Sequence, residues 1–186
     1  MTIRTSITHP LCLDPLPVGT QGGVLGITLC PGKHAPSYNG PAWARDLELD
    51  LDHIRQWGAL AVLTLIEDHE FDALRVTGLG AGVRARGIDW HHLPITDGST
   101  PDDRFEAGWS RIGPGLRDLL IGGGRAVVHC KGGLGRAGTI AARILIETGI
   151  APAEAIRQVR GARGKDAIEN ARQERYVLAL VPGARL

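Results

Sequence analysis

The chain has 186 residues, 43% hydrophobic and 22% charged, with a net charge of +1. That length suits one globular domain with a real core and leaves little room for a second. The near-neutral balance gives no bulk attraction for nucleic acid or a membrane surface, so any affinity for anions has to be local. The N-terminal stretch has no apolar h-region, and no apolar run approaches the roughly 18 residues of a spanning helix, so neither a signal peptide nor a membrane span is expected. The three cysteines, Cys12, Cys30 and Cys130, are too few for a disulfide framework and fit a reducing, cytoplasmic setting.

Residues 1–22, rich in Pro and Gly, read as an irregular lead-in to a domain spanning residues 23–186. Val24 to Leu29 reads as a first strand, closed by Pro31-Gly32. Over residues 42–57, Leu47, Leu51, Ile54 and Trp57 recur at helical spacing, and Gly58 is a stop. Ala61 to Ile66 is a continuous apolar run, the pattern of a strand buried on both faces. Residues 71–86 read as helical with a break near Thr77-Gly78, and a strand follows through Ile88 and Leu93. Thr100 fits a helix N-cap, Pro101 the first helical position and Asp103 the acidic third, opening a helix to about Leu120 that Gly113-Pro114-Gly115 should disturb. Gly122-Gly-Gly124 turns into the buried strand Arg125 to His129, and helices are expected near 136–148, 152–161 and 169–181. The alternation predicts an α/β fold: a mostly parallel four- to five-stranded sheet flanked by helices. In such sheets sites form beyond the carboxyl ends of the strands, which collects three polar loops at one edge: Glu67 to Glu70, Asp97 to Ser99, and the segment after His129.

That last segment, His129-Cys-Lys-Gly-Gly-Leu-Gly-Arg-Ala-Gly-Thr139, carries the chemistry. Glycine permits the positive φ values that turn successive amides inward, and a following helix aims its N-terminus at the same point. Lys131, Gly132, Gly133, Leu134, Gly135 and Arg136 therefore form a candidate cradle for phosphate, sulfate or vanadate. A thiol facing that field should ionise readily, making Cys130 a candidate nucleophile. Arg136 can fork two phosphate oxygens, which lysine cannot. Asp97, also beyond a strand end, is the candidate proton donor to the leaving group and acceptor from water. Asp102 and Asp103 are rivals better explained by helix capping. His129 reads as structural rather than as a base, Thr139 and Gln173 are candidate supporting groups, and Glu67 and Glu70 either rim the pocket or face solvent. No metal site is expected, because no Cys or His partners recur at ligand spacing. Nor is the loop a nucleotide P-loop, since Arg136-Ala137 stands where Gly-Lys-Ser/Thr would end it.

The stretch from His129 to Arg136 resembles the His-Cys-x5-Arg signature of the protein tyrosine phosphatase superfamily. The similarity is to the kinase-associated dual-specificity phosphatases. It extends to Leu29 to Gly32, His91 to Ile95, Asp97 to Asp102, and Ala167-Ile168 with Gln173. The resemblance implies a cofactor-free enzyme working through a phosphocysteine on a phosphorylated protein substrate, with Cys130 as nucleophile, Arg136 as phosphate arginine and Asp97 as general acid. One departure stands out: the family carries Ser or Thr directly after the arginine, whereas this chain has Ala137, so release of the phosphoenzyme should be slow. Two rival readings use the same loop: a sulfur transferase or arsenate reductase, and a phosphate-reading binding module with impaired turnover.

Overall fold

The computed structural model describes residues 3–36 and 40–183. Five strands form the central sheet: β1 (Asp14–Val18), β2 (Gly23–Thr28), β5 (Ala61–Thr64), β6 (Asp89–His92) and β7 (Arg125–His129), in the order β1-β2-β7-β5-β6. All neighbours pair in parallel except β1, which is antiparallel to β2. The α/β expectation of a mostly parallel sheet flanked by helices is met, with five strands. A two-stranded ribbon, β3 (His34–Ala35) and β4 (Trp43–Ala44), stands apart from the sheet. The helices are α1 (Leu47–Gln56), α2 (Asp68–Ala73), α3 (Leu79–Ala85), α4 (Asp103–Ile121), α5 (Gly135–Glu147), α6 (Pro152–Arg163) and α7 (Ala171–Leu178).

Two cores cover the two faces of the sheet. One gathers Leu25, Ile27, Leu63 and Val128 with Phe105 and Trp109 of α4, Ile140 and Ile144 of α5, and Val159 and Val177 of α6 and α7. The other sets Val62 and Val127 against Leu51 and Ile54 of α1 and Val83 of α3. Consecutive residues of the central strands point to opposite faces and both are covered, which is why Ala61 to Thr64 is buried throughout.

Three local expectations are corrected. The irregular lead-in over residues 1–22 contains β1, a real sheet strand. Leu16 and Val18 point into the core while Pro15 and Pro17 face solvent, an alternation that an edge strand permits because its outer amides need no partner. The cap of α4 is Asp102, which accepts from the Phe105 amide at 2.9 Å, so Thr100 and Pro101 lie before the helix. Pro114 does not break α4. It lies on the exposed face, where the carbonyl it leaves unbonded can face water.

The parallel register places Thr28, His129, Thr64 and His92 in one row at the carboxyl ends of β2, β7, β5 and β6. Each strand then runs into a loop at that edge.

Candidate active site

The loop after β7 folds back on itself, and its carbonyls show how. Lys131 O accepts from Lys33 Nζ at 3.1 Å and from the Cys30 amide at 3.4 Å. Gly132 O and Gly133 O accept from Arg163 at 3.1 and 2.8 Å. Leu134 O accepts from the Gly138 and Ile168 amides, and Gly135 O from the Thr139 hydroxyl at 2.8 Å. Five successive carbonyls are thus held from outside the loop. A trans peptide sets C=O and the next N–H in opposite directions, so the amides of residues 132–136 face the loop interior. The Gly133 amide shows this directly by donating to Cys130 Sγ at 3.2 Å. Gly133 has φ +73°, and a Cβ there would lie 2.4 Å from the Thr28 carbonyl carbon, so both conformation and space require glycine.

Arg136, in the first turn of α5, is 1% exposed. Its Nη1 donates to Glu70 Oε2 at 2.5 Å and to Ile95 O at 3.0 Å, and its Nη2 reaches Glu70 Oε1 at 3.0 Å and Asp97 Oδ1 at 2.9 Å. All three loops expected at the sheet edge therefore meet on one guanidinium. Glu70 is buried on it rather than facing solvent; Glu67 is half-buried and accepts from the Thr96 hydroxyl. Burial pushes the Glu70 carboxyl upward, but bonds from Arg136 and the Glu67 amide outweigh it and hold the group below its ordinary range. Burial likewise opposes the charge on Arg136, and Glu70, Cys130 and Asp97 overcome it, holding the guanidinium cationic. Among the described residues, Arg136 Nε is a buried donor with no partner.

His129 is fully buried, and burial pushes it down to about 4, so it is neutral. The Trp90 indole donates to Thr64 Oγ1 at 2.9 Å, which lies 2.8 Å from His129 Nε2, while His129 Nδ1 lies 3.4 Å from Cys130 O. The consistent assignment has Thr64 donating to Nε2 and Nδ1–H donating to the Cys130 carbonyl, a structural line that fixes the start of the loop.

Two supporting candidates stand elsewhere than expected. The Thr139 hydroxyl is bound to Gly135 O, one turn back along α5, and so does not serve the sulfur in place of a hydroxyl at Ala137. Gln173 is fully buried, receiving the Glu169 amide and donating to Ser99 O at 3.2 Å. With Asn170, which donates to Gly98 O at 3.0 Å, it ties the Asp97 loop to α7. Asp97 itself is 56% exposed at the mouth. Cys30 lies beside the loop through its amide, but its thiol is buried and burial pushes it strongly up. Lys131 is exposed to solvent.

Sequence reasoning missed two groups. Arg163, at the end of α6, binds the loop from outside, and nothing in its spacing from Cys130 signals this. The Glu169 carboxyl packs against Gly135, where a Cβ would lie 2.5 Å from Oε1, and burial and the charge of Asp97 push it up. Glu169 follows Ile168, a β-branched residue at φ +59°.

A thiol at the floor of an amide-lined loop, with an arginine opening the next helix, is an arrangement whose chemistry suits an oxyanion. The family model described as "Tc-R-P: Polymorphic toxin system, DSP-PTPase phosphatase" matches residues 40–150. Cyclin-dependent kinase inhibitor 3 of Rattus norvegicus is 33% identical over 135 residues, covering 72% of this chain and 62% of that protein. A probable protein tyrosine phosphatase type IVA A of Dictyostelium discoideum is 34% identical over 83 residues, covering 44% of this chain and 48% of that one. Among solved structures, kinase associated phosphatase with its catalytic site cysteine substituted by serine superposes with a TM-score of 0.78 at 28% identity, covering 90% of this chain and 92% of that one. The chain belongs to the dual-specificity branch of the protein tyrosine phosphatase superfamily. The match spans 62% of the length of the cyclin-dependent kinase inhibitor 3 proteins.

Proposed function

We propose that the protein is a cysteine-dependent phosphomonoester hydrolase acting on phosphorylated protein through a phosphocysteine on Cys130. The observation that carries this reading is the pairing of inward amides with Arg136 Nε, a buried donor left unpartnered on a side chain otherwise fully bonded. Such a donor is costly unless something negative meets it.

In the first step the Cys130 sulfur forms a bond to phosphorus, the bond from phosphorus to the leaving oxygen breaks, and Asp97 passes its proton to that oxygen. In the second step water attacks phosphorus, the S–P bond breaks with its electron pair returning to sulfur, and Asp97 takes the proton back. The loop amides and Arg136 hold the charge on the equatorial oxygens throughout. Asp97 is suited to this exchange because it is exposed on a loop tied at Gly98 and Ser99, close enough to pair with Arg136 yet able to release it.

The test is hydrolysis of a series of aryl phosphates without an added thiol acceptor. Asp97→Asn should slow poor leaving groups far more than good ones and remove one limb of the pH profile. Equal slowing of all leaving groups would deny Asp97 its role. A Cys130→Ser, Asp97→Ala variant should retain phosphoprotein from lysate of the native host in a vanadate-sensitive way. Wild-type protein that binds phosphate but releases none from any ester would favour the binding-module reading. Arsenate reduction, which needs a resolving thiol, is disfavoured because Cys30, beside the loop, is buried and hard to ionise; sulfur transfer is separated by the aryl phosphate assay itself, since it would release no phosphate.

A further inference from the structure

We infer that Arg163 is a positioning residue for the Cys130 loop, acting from outside through two successive peptide groups. This rests on the phosphatase reading of the loop. The Arg163 guanidinium has three engagements. Nη2 donates to Gly132 O at 3.1 Å, Nε to Gly133 O at 2.8 Å, and Nη1 to Asp14 Oδ2 at 2.8 Å.

The first two contacts are one covalent step from the chemistry. Gly132 O and the Gly133 N–H belong to the same planar peptide, and that N–H is the one donating to Cys130 Sγ at 3.2 Å. Arg163 on the oxygen and the sulfur on the hydrogen therefore sit at opposite ends of a single dipole. The cation fixes the peptide's orientation and polarises it in the sense that favours negative charge on sulfur. The second carbonyl, Gly133 O, does the same for the next peptide, whose N–H belongs to Leu134 and faces the anion seat. Gly133 is the hinge between the two planes, and its φ of +73° is what lets both carbonyls face one guanidinium.

A planar fork suits two adjacent carbonyls, which a single ammonium cannot satisfy with the same geometry. Asp14 fixes the fork. It sits at the start of β1, is 20% exposed against 18% for Arg163, and joins the edge strand to α6. The sequence separation of 149 residues between these partners explains why no local motif announces them.

The test compares Arg163→Gln, Arg163→Lys and Asp14→Asn with wild type, each first shown to be folded by its cooperative thermal transition. Three quantities are read: the rate of Cys130 alkylation by iodoacetamide at pH 7, protection of that rate by inorganic phosphate, and kcat/KM on an aryl phosphate. Losing one preorganised donor at a charged centre costs on the order of a hundredfold, and here the donor is only reoriented, so Arg163→Gln should slow alkylation and kcat/KM by roughly tenfold and weaken phosphate protection. Arg163→Lys should recover part of both, and Asp14→Asn should fall between Lys and wild type. A merely structural arginine would move the melting transition and leave alkylation of the folded protein unchanged. A folded Arg163→Gln whose alkylation and phosphate protection match wild type overturns the inference. Failure of the phosphatase reading has a different signature: wild type itself would show no phosphate protection and no ester hydrolysis.

Discussion

Two arginines seven residues apart on α5 separate what holds this fold together from what the fold is for. Arg136 and Arg143 are 1% and 0% exposed, and both are ringed by carboxylates. Every nitrogen of Arg143 is engaged: Nε by Glu147, Nη1 by Glu106 and the Tyr176 hydroxyl, Nη2 by Glu106. Phe105 and Trp109 lie against it, with ring centroids 5.6 and 5.2 Å from its central carbon. Arg136 is instead bound at its two terminal nitrogens, by Glu70, Asp97 and two backbone carbonyls, and keeps Nε free in a buried position beside the inward amides of its own loop. A buried arginine with every nitrogen matched joins α4, α5 and α7. One with a donor left over at an amide-lined loop is what the proposed phosphate seat requires.

The contrast is broken most severely at Arg136. Arg136→Lys removes the planar fork and the Nε donor together, and kcat/KM for an aryl phosphate should fall by about 10²–10³ while the fold survives. Arg143→Met should do the reverse. It takes the cation from Glu106 and one of two from the Glu147 carboxylate, which keeps Arg117 and the Trp109 indole, so stability should fall by about 3 kcal/mol. That corresponds to a drop of about 6–12 °C in a chain of this length, measured by calorimetry, with kcat/KM on the folded protein within about threefold of wild type. An Arg143→Met variant that lost activity in proportion to Arg136→Lys would show that the two networks are one.

The same contrast separates what was legible in the sequence from what was not. The loop from His129 to Arg136 is short, and its shape follows from residue types at fixed spacing between a strand and a helix, so the meeting of Cys130, Arg136 and the glycines in one turn could be read directly. Asp97 was legible because strand ends in a parallel sheet share an edge. The α/β order followed from alternating apolar periods. Glu70 was placed at that edge, but whether it rimmed the pocket or faced solvent stayed open, because its partner Arg136 is 66 residues away. Arg163 was hidden because it reaches Gly133 from 30 residues along the chain. The direction of the Thr139 hydroxyl could not be read from spacing, because a threonine in a helix can turn it back to the carbonyl four residues earlier, and here it does. β1 was hidden by its two prolines, which signal a loop unless the strand is known to be an edge. Arg143 gave no signal, because a buried charge reads as a solvated one until its partners are placed.

His129 sharpens the comparison through pH. Its line of hydrogen bonds, from Trp90 through Thr64 to the Cys130 carbonyl, works with a neutral ring, and burial moves it from 6.5 to about 4. Between those values the unfolded chain binds a proton that the native state refuses, so stability rises with pH across this window and is lost as pH falls through it. The shift corresponds to about 3 kcal/mol, fully present above pH 6.5 and gone near pH 4. Urea midpoints measured from pH 7 to 4.5 should show this slope in wild type and a flatter one in His129→Gln. Parallel slopes would mean that the ring is protonated in the native state.

The smallest expected effect tests the free edge of Arg136 at its immediate neighbour. Ala137 is fully buried in the first turn of α5, where a serine is tolerated without loss of helix. The one nearby hydroxyl, that of Thr139, is committed to Gly135 O, so among the described residues no side chain along this turn donates to the Cys130 sulfur. The expected kinetics are a burst of leaving group followed by a slower steady state, set by hydrolysis of the phosphocysteine. Ala137→Ser adds one donor to that second step. A net hydrogen bond of about 1 kcal/mol converts to roughly a fivefold rise in kcat, with a smaller burst and kcat/KM unchanged, because kcat/KM reports the first step. Strictly linear progress in wild type would place the slow step before the phosphoenzyme, and Ala137→Ser would then have nothing to accelerate.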